Sequence, residues 1–210
     1  MSFITRRRAL QTALLGGAAA CSPAPKLTPY AAVYDSPEGL FRHGVASGDP
    51  DASSVVLWTR LSPEALAGAA DRLTARWQAA RDRDFAEIVA EGEAMTGPSR
   101  DWTVKAVAGG LDPGGTYFYR FEAAGAFSPT GRAKTLPSGR LDSARFAVVS
   151  CSNYPFGFFN VYDQIARRDD LDAVLHLGDY IYEYGRDGYG GASGEALGRP
   201  GPKEEMTQAD

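Results

Sequence analysis

The chain has 210 residues, 44% of them hydrophobic, and a formal net charge of −4, which suits one or two globular domains. That acidity disfavours nonspecific nucleic-acid binding, which needs basic patches against phosphate. Two cysteines, Cys21 and Cys151, exclude a disulfide framework. At the N-terminus, Arg6, Arg7 and Arg8 precede an apolar run over 9–20 that closes on Ala18-Ala19-Ala20. Residues 1–20 therefore read as an export signal, with an apolar run too short to span a bilayer. Thr5-Arg6-Arg7-Arg8-Ala9-Leu10-Gln11 resembles the twin-arginine consensus, so the expected destination is periplasmic or extracellular, reached through the twin-arginine machinery. Loss of those three arginines would take the net charge to −7. Cys21 follows directly, and Ala18-Ala19-Ala20-Cys21 resembles a lipobox with Ala18 where Leu is preferred. An N-terminal lipid anchor at Cys21 and ordinary cleavage stand as equal readings.

Residues 21–38 hold four prolines and read as a linker. From 39 to 136 the pattern becomes short β-type runs: Val55–Trp58, Leu73–Trp77, Trp102–Val107 and Thr116–Phe121, separated by turns such as Asp112-Pro113-Gly114-Gly115. Such spacing predicts a fibronectin- or immunoglobulin-like β-sandwich. Leu111-Asp112-Pro113 ahead of Tyr117 and Tyr119 resembles a tyrosine-corner region, with the register open between the two. Trp58, Trp77 and Trp102 could line a binding face, although core packing accounts for most of them.

After Pro137 the pattern changes. Arg145–Ser150 is a continuous apolar strand. Phe158, Tyr162 and Ile165 share a helical face, and Leu171–Leu177 is a second buried strand. Strand, helix and strand at this spacing predict one parallel βαβ unit, with 144–210 as the start of an α/β domain. Catalytic groups in such sheets collect at the carboxyl ends of the strands, where Cys151 and Asp179 stand. Gly178 allows a sharp exit that aims the Asp179 carboxylate into the crevice, and Tyr182 lies three residues on. A carboxylate can bridge two cations, a phenolate suits a hard trivalent ion, and a thiolate binds iron. Taken singly, Asp179 could be a turn residue, Tyr182 a packing residue and Cys151 a buried inert thiol. His176 reads as structural, His43 carries no assigned chemistry, and Asp169-Asp170 reads as a solvated turn. Residues 185–202 are glycine-rich with no Gly-Lys-Ser/Thr ending, so they read as a flexible loop without phosphate-loop character.

His43-Gly44-Val45-Ala46-Ser47-Gly48-Asp49-Pro50, Val56-Leu57-Trp58-Thr59-Arg60, Ser150-Cys151-Ser152 and Gly178-Asp179-Tyr180-Ile181-Tyr182-Glu183, with the twin-arginine-like start, resemble the PhoD-like alkaline phosphatases. The resemblance implies a fibronectin/Ig-like sandwich followed by the first βαβ unit of a calcineurin-like metallophosphatase domain. It further implies an exported phosphoesterase acting on phosphate monoesters or diesters. By that resemblance ferric iron is held by Cys151, Asp179 and Tyr182, with Asp179, the catalytic carboxylate, also reaching calcium. Such metals would polarise phosphoryl oxygens and activate the attacking oxygen. Purple acid phosphatases share the Gly-Asp-x-x-Tyr pattern but deliver an aspartate where this chain has Cys151. An exported sandwich binding module is the alternative from another class. The wider superfamily completes its site with an Asn-His motif and later histidines, whereas only His43 and His176 occur here. A single βαβ unit also cannot bury both faces of its sheet, so the expectation is an N-terminal fragment, inactive alone.

Overall fold

The structure, a computed structural model, describes residues 39–66 and 71–198. The export signal, the linker, Cys21 and the last residues of the glycine-rich segment lie outside the described residues.

Eight strands build the first unit. β1 (Val45–Gly48), β2 (Ser54–Arg60) and β5 (Thr103–Gly109) form one antiparallel sheet, in the order β1-β2-β5. β3 (Leu73–Ala80), β4 (Ile88–Thr96), β6 (Thr116–Ala123), β7 (Ala126–Phe127) and β8 (Gly131–Lys134) form the other. In that second sheet β6 pairs with β3 on one side and with β7 and β8 on the other. Alternation sets the inward faces, because successive strand side chains point to opposite sides. From one sheet come Val55, Leu57, Val104 and Ala108, and from the other Ala75, Trp77, Tyr117, Tyr119 and Phe121. All are buried in one shared core, which makes the two sheets a fibronectin/Ig-like sandwich.

Trp77 and Trp102 are core residues, and Trp58 is half-buried, so no aromatic binding face of three tryptophans exists. The corner residue is Tyr117: its hydroxyl accepts from the Asp112 N–H at 2.7 Å and donates to the Asp112 carbonyl at 3.3 Å. Four strands, β1, β4, β7 and β8, escape the sequence pattern, two of them for evident physical reasons. Edge strand β4 alternates Ala, Glu and Gly, and its Gly92 lies flat under the Trp77 ring, where a Cβ would come within 2.8 Å. In β8, Gly131 gives the same clearance to Tyr119.

The second unit is a βαβ unit. β9 (Phe146–Val149) leads through α1 (Asn160–Ala166) to β10 (Ala173–His176), and the two strands pair in parallel with Phe146 opposite Ala173 and Val149 opposite His176. Phe158 lies outside the helix, because Phe159 adopts a left-handed backbone (φ 57°) and starts the helix only after it. Phe146, Val148, Val174 and Leu175 are all about half exposed, so neither face of this pair is covered within the described residues. Asp169 and Asp170 are not merely solvated: Asp169 pairs with Arg83, and Asp170 with Arg168 and Arg145. The glycine-rich stretch also holds a short helix, α2 (Gly191–Ala196), where a loop was expected.

Candidate metal centre

The strand ladder does not stop at the last paired residues. Leu177 donates to Val149 at 2.8 Å, Cys151 to Gly178 at 3.1 Å, and Ser152 to Asp179 at 2.8 Å. These backbone bonds bring the two strand exits side by side. Both exits turn through the left-handed region, with Cys151 at φ 62°, Gly178 at 117° and Asp179 at 52°. Non-glycine residues there are uncommon, each costing about 1–2 kcal/mol, and such outliers concentrate at functional sites.

The three side chains singled out in the sequence meet at one atom. Asp179 Oδ2 accepts from the Tyr182 hydroxyl at 3.1 Å and lies 3.5 Å from Cys151 Sγ. Cys151 is exposed, not a buried inert thiol. The Cys151 thiol first, with loss of hydration and then the Asp179 carboxylate, holds the Tyr182 phenol well above its ordinary value. Donors bound to one ion at about 2.0–2.3 Å stand about 3–3.6 Å apart, so these separations suit a shared ion. One thiolate, one carboxylate and one phenolate also supply three negative charges, which complements a trivalent ion. Among the described residues no three His, Cys, Asp or Glu side chains cluster as a metal site; the third side chain of this group is a phenol.

Ser152 and the Gly178 N–H, chain neighbours of Cys151 and Asp179, belong to a polar network that sequence reasoning did not assemble. Ser152 Oγ lies 2.8 Å from His176 Nε2, Tyr162 OH lies 3.0 Å from the same nitrogen, and the two hydroxyls bond each other. The Gly178 N–H donates to His176 Nδ1 at 3.3 Å, which leaves the proton on Nε2 to serve the hydroxyls. His176 is thus hydrogen-bonded through both ring nitrogens, Nδ1 to the strand exit that precedes Asp179 and Nε2 to the two hydroxyls. Ser152 and Tyr162 were legible only as neighbours of Cys151 and as a helix-face residue. Asn153 is buried with its amide nitrogen unpartnered, directly after Ser152. His43 lies far from this centre in sequence and packs on Arg60, Nε2 to Nη1 at 2.6 Å, within the Arg60–Asp101 ion pair. Its pKa is lowered by burial and then by Arg60 and Arg42.

A fibronectin/Ig-like sandwich that runs into the opening βαβ unit of an α/β domain defines a class, and the comparisons agree with it. Residues 28–137 match the PhoD-like phosphatase N-terminal domain, and residues 146–210 match the PhoD-like phosphatase model. The chain belongs to the PhoD-like phosphatase family. Alkaline phosphatase D of Bacillus subtilis (strain 168) is 44% identical over 154 residues, which cover 71% of this chain and 26% of that protein. The solved structure of PhoD superposes with a TM-score of 0.64 at 43% identity, over 70% of this chain and 29% of that one. The chain thus spans about a quarter of the length of these relatives.

Proposed function

We propose that this chain is part of an exported, metal-dependent phosphoesterase of the alkaline phosphatase D type, hydrolysing phosphate monoesters, diesters or both. The convergence of Cys151, Asp179 and Tyr182 on one oxygen at the carboxyl ends of two parallel strands carries the reading. In it these three residues hold ferric iron, and Asp179, the catalytic carboxylate, also faces calcium. When bound, the metals supply Lewis-acid polarisation of a phosphoryl group and stabilisation of the charge that develops on it. The protein's own part is to hold the three donors close together before any ion arrives. Cys151 at the first strand end favours this reading over a purple acid phosphatase, where the corresponding donor is an aspartate. Burial of Trp77 and Trp102 disfavours the sandwich binding module.

The twin-arginine machinery is the proposed export route, and a lipid anchor at Cys21 would tether the mature protein. Residues 21–210 by themselves give no turnover in this reading, because three donors hold one ion and leave a second without its own set. The test is phosphate release by the full-length protein from an aryl monoester and from a bis-aryl diester, each with wild type and Asp179→Asn. Loss of both activities in the variant supports the assignment, and full activity in it would defeat it.

A further inference from the structure

The far ends of the metal-bearing strands are held by the sandwich. Lys134, the last residue of β8, places Nζ 2.5 Å from Asp172 Oδ1, and the other oxygen of Asp172 accepts from the Arg145 N–H at 2.7 Å. The Asp172 N–H in turn donates to the Arg145 carbonyl at 2.8 Å, so this residue is the first rung of the β9–β10 ladder. Two residues earlier on β8, Arg132 spreads its guanidinium over the carbonyls of Asp169, Arg168 (3.2 Å) and Leu171 (3.4 Å), which close the turn between α1 and β10. Leu171, buried, anchors that turn.

We propose that Arg132 and Lys134 of the sandwich are positioning residues for the metal centre, clamping the start of β10 against β9 so that Asp179 arrives beside Cys151. The inference rests on the metal-site reading above. The ladder is continuous from the clamp to the donors: Asp172 on Arg145, then four paired rows, then Leu177 on Val149, Cys151 on Gly178 and Ser152 on Asp179. Strand register is quantised, since a slip of one residue turns every side chain to the other face. Among the described residues both faces of this pair are uncovered, and the bonds at its start are the contacts there that fix its register. Holding row 172 opposite 145 therefore fixes 179 opposite 152. The Asp172 carboxyl lies below its usual range, through Lys134 first and the Arg145 N–H second, which fits a bond made in the folded state.

The test uses the full-length protein with Lys134→Met, Lys134→Arg and the double variant Arg132→Met/Lys134→Met. Leu57→Val, which loosens the opposite sheet of the sandwich, serves as the control. Hydrogen exchange at the amides of Cys151, Ser152 and Leu177 is read in metal-free protein. Retention of ferric iron is read against a chelator by the phenolate-to-iron absorption band. Lys134→Met should speed exchange at those three amides about threefold to fivefold, the range of a half-exposed ion pair, and the double variant about tenfold or more. Iron retention should fall by similar factors, while Lys134→Arg stays within about twofold of wild type on both readouts. Unchanged exchange in the double variant overturns the clamp, as does an equal acceleration in Leu57→Val. If wild type takes up no iron, the metal reading fails while the exchange result still decides the clamp.

Discussion

Replacing Tyr117 by Phe isolates one hydrogen-bonded corner of the sandwich without touching its packing. The Tyr117 ring is 1% exposed, and Phe preserves it while deleting the hydroxyl. Two bonds disappear, but they are unequal. The Asp112 carbonyl keeps the Thr135 hydroxyl at 2.7 Å, so the lost 3.3 Å bond matters little. The Asp112 N–H has Tyr117 as its partner at 2.7 Å and is left without it. A net hydrogen bond contributes about 1 kcal/mol, and stranding a partly buried donor adds up to about another, so a loss of about 1–2 kcal/mol is expected. With a urea m-value of about 1.5 kcal/mol/M, that moves the midpoint down by about 1 M at unchanged slope. All three tryptophans lie between residues 58 and 102, so tryptophan fluorescence follows the sandwich alone. Thr135→Val in the Tyr117→Phe background should cost more than either change predicts by itself, because the Asp112 carbonyl then loses both donors. A Tyr117→Phe midpoint within about 0.3 M of wild type would refute the reasoning.

Gly131→Ala sets a Cβ within 2.3 Å of the buried Tyr119 ring, and overpacking of this kind should lower stability by about 1–3 kcal/mol, read as a fall in Tm. Asp172 has a folded pKa below its ordinary value near 3.8, so its contribution is fully present above that value and is lost as pH falls through the folded one. The stability difference between wild type and Asp172→Asn should therefore be measurable near about pH 6 and vanish near about pH 2 in urea titrations, and it should be modest because the carboxylate is 38% exposed. His176→Phe leaves the Ser152 and Tyr162 hydroxyls without their ring nitrogen, and ferric-iron affinity should drop about tenfold in a chelator competition.

What could be read from the sequence was whatever a local pattern encodes. Apolar runs in 55–58, 73–77, 102–107 and 116–121 marked four of the strands that face the core, and the Asp112-Pro113 turn marked the corner region, with Tyr117 and Tyr119 both open as its residue. Edge strand β4 was invisible because its middle, Ala90 to Ala94, alternates alanine, glutamate and glycine, and Gly92 there makes room for Trp77, its partner on β3, fifteen residues back in the chain. Cys151 and Asp179 were legible as candidates because each lies just past a strand end, and Tyr182 because it follows Asp179 by three residues. The polar network beside them was not, since Ser152, Tyr162 and His176 come from a strand exit, a helix and the last residue of a strand that only the folded unit brings together. The clamp was equally hidden: Lys134 and Asp172 are ordinary surface residue types, 38 positions apart, and nothing in either neighbourhood names the other.

The central claim, that Cys151, Asp179 and Tyr182 hold one ferric ion, is tested most directly by purifying full-length wild type and Tyr182→Phe and measuring iron per protein together with the visible spectrum. The account expects about one iron per wild-type chain with a broad phenolate-to-iron band, and loss of that band with depleted iron in the variant. An identical band and iron content in Tyr182→Phe would contradict it.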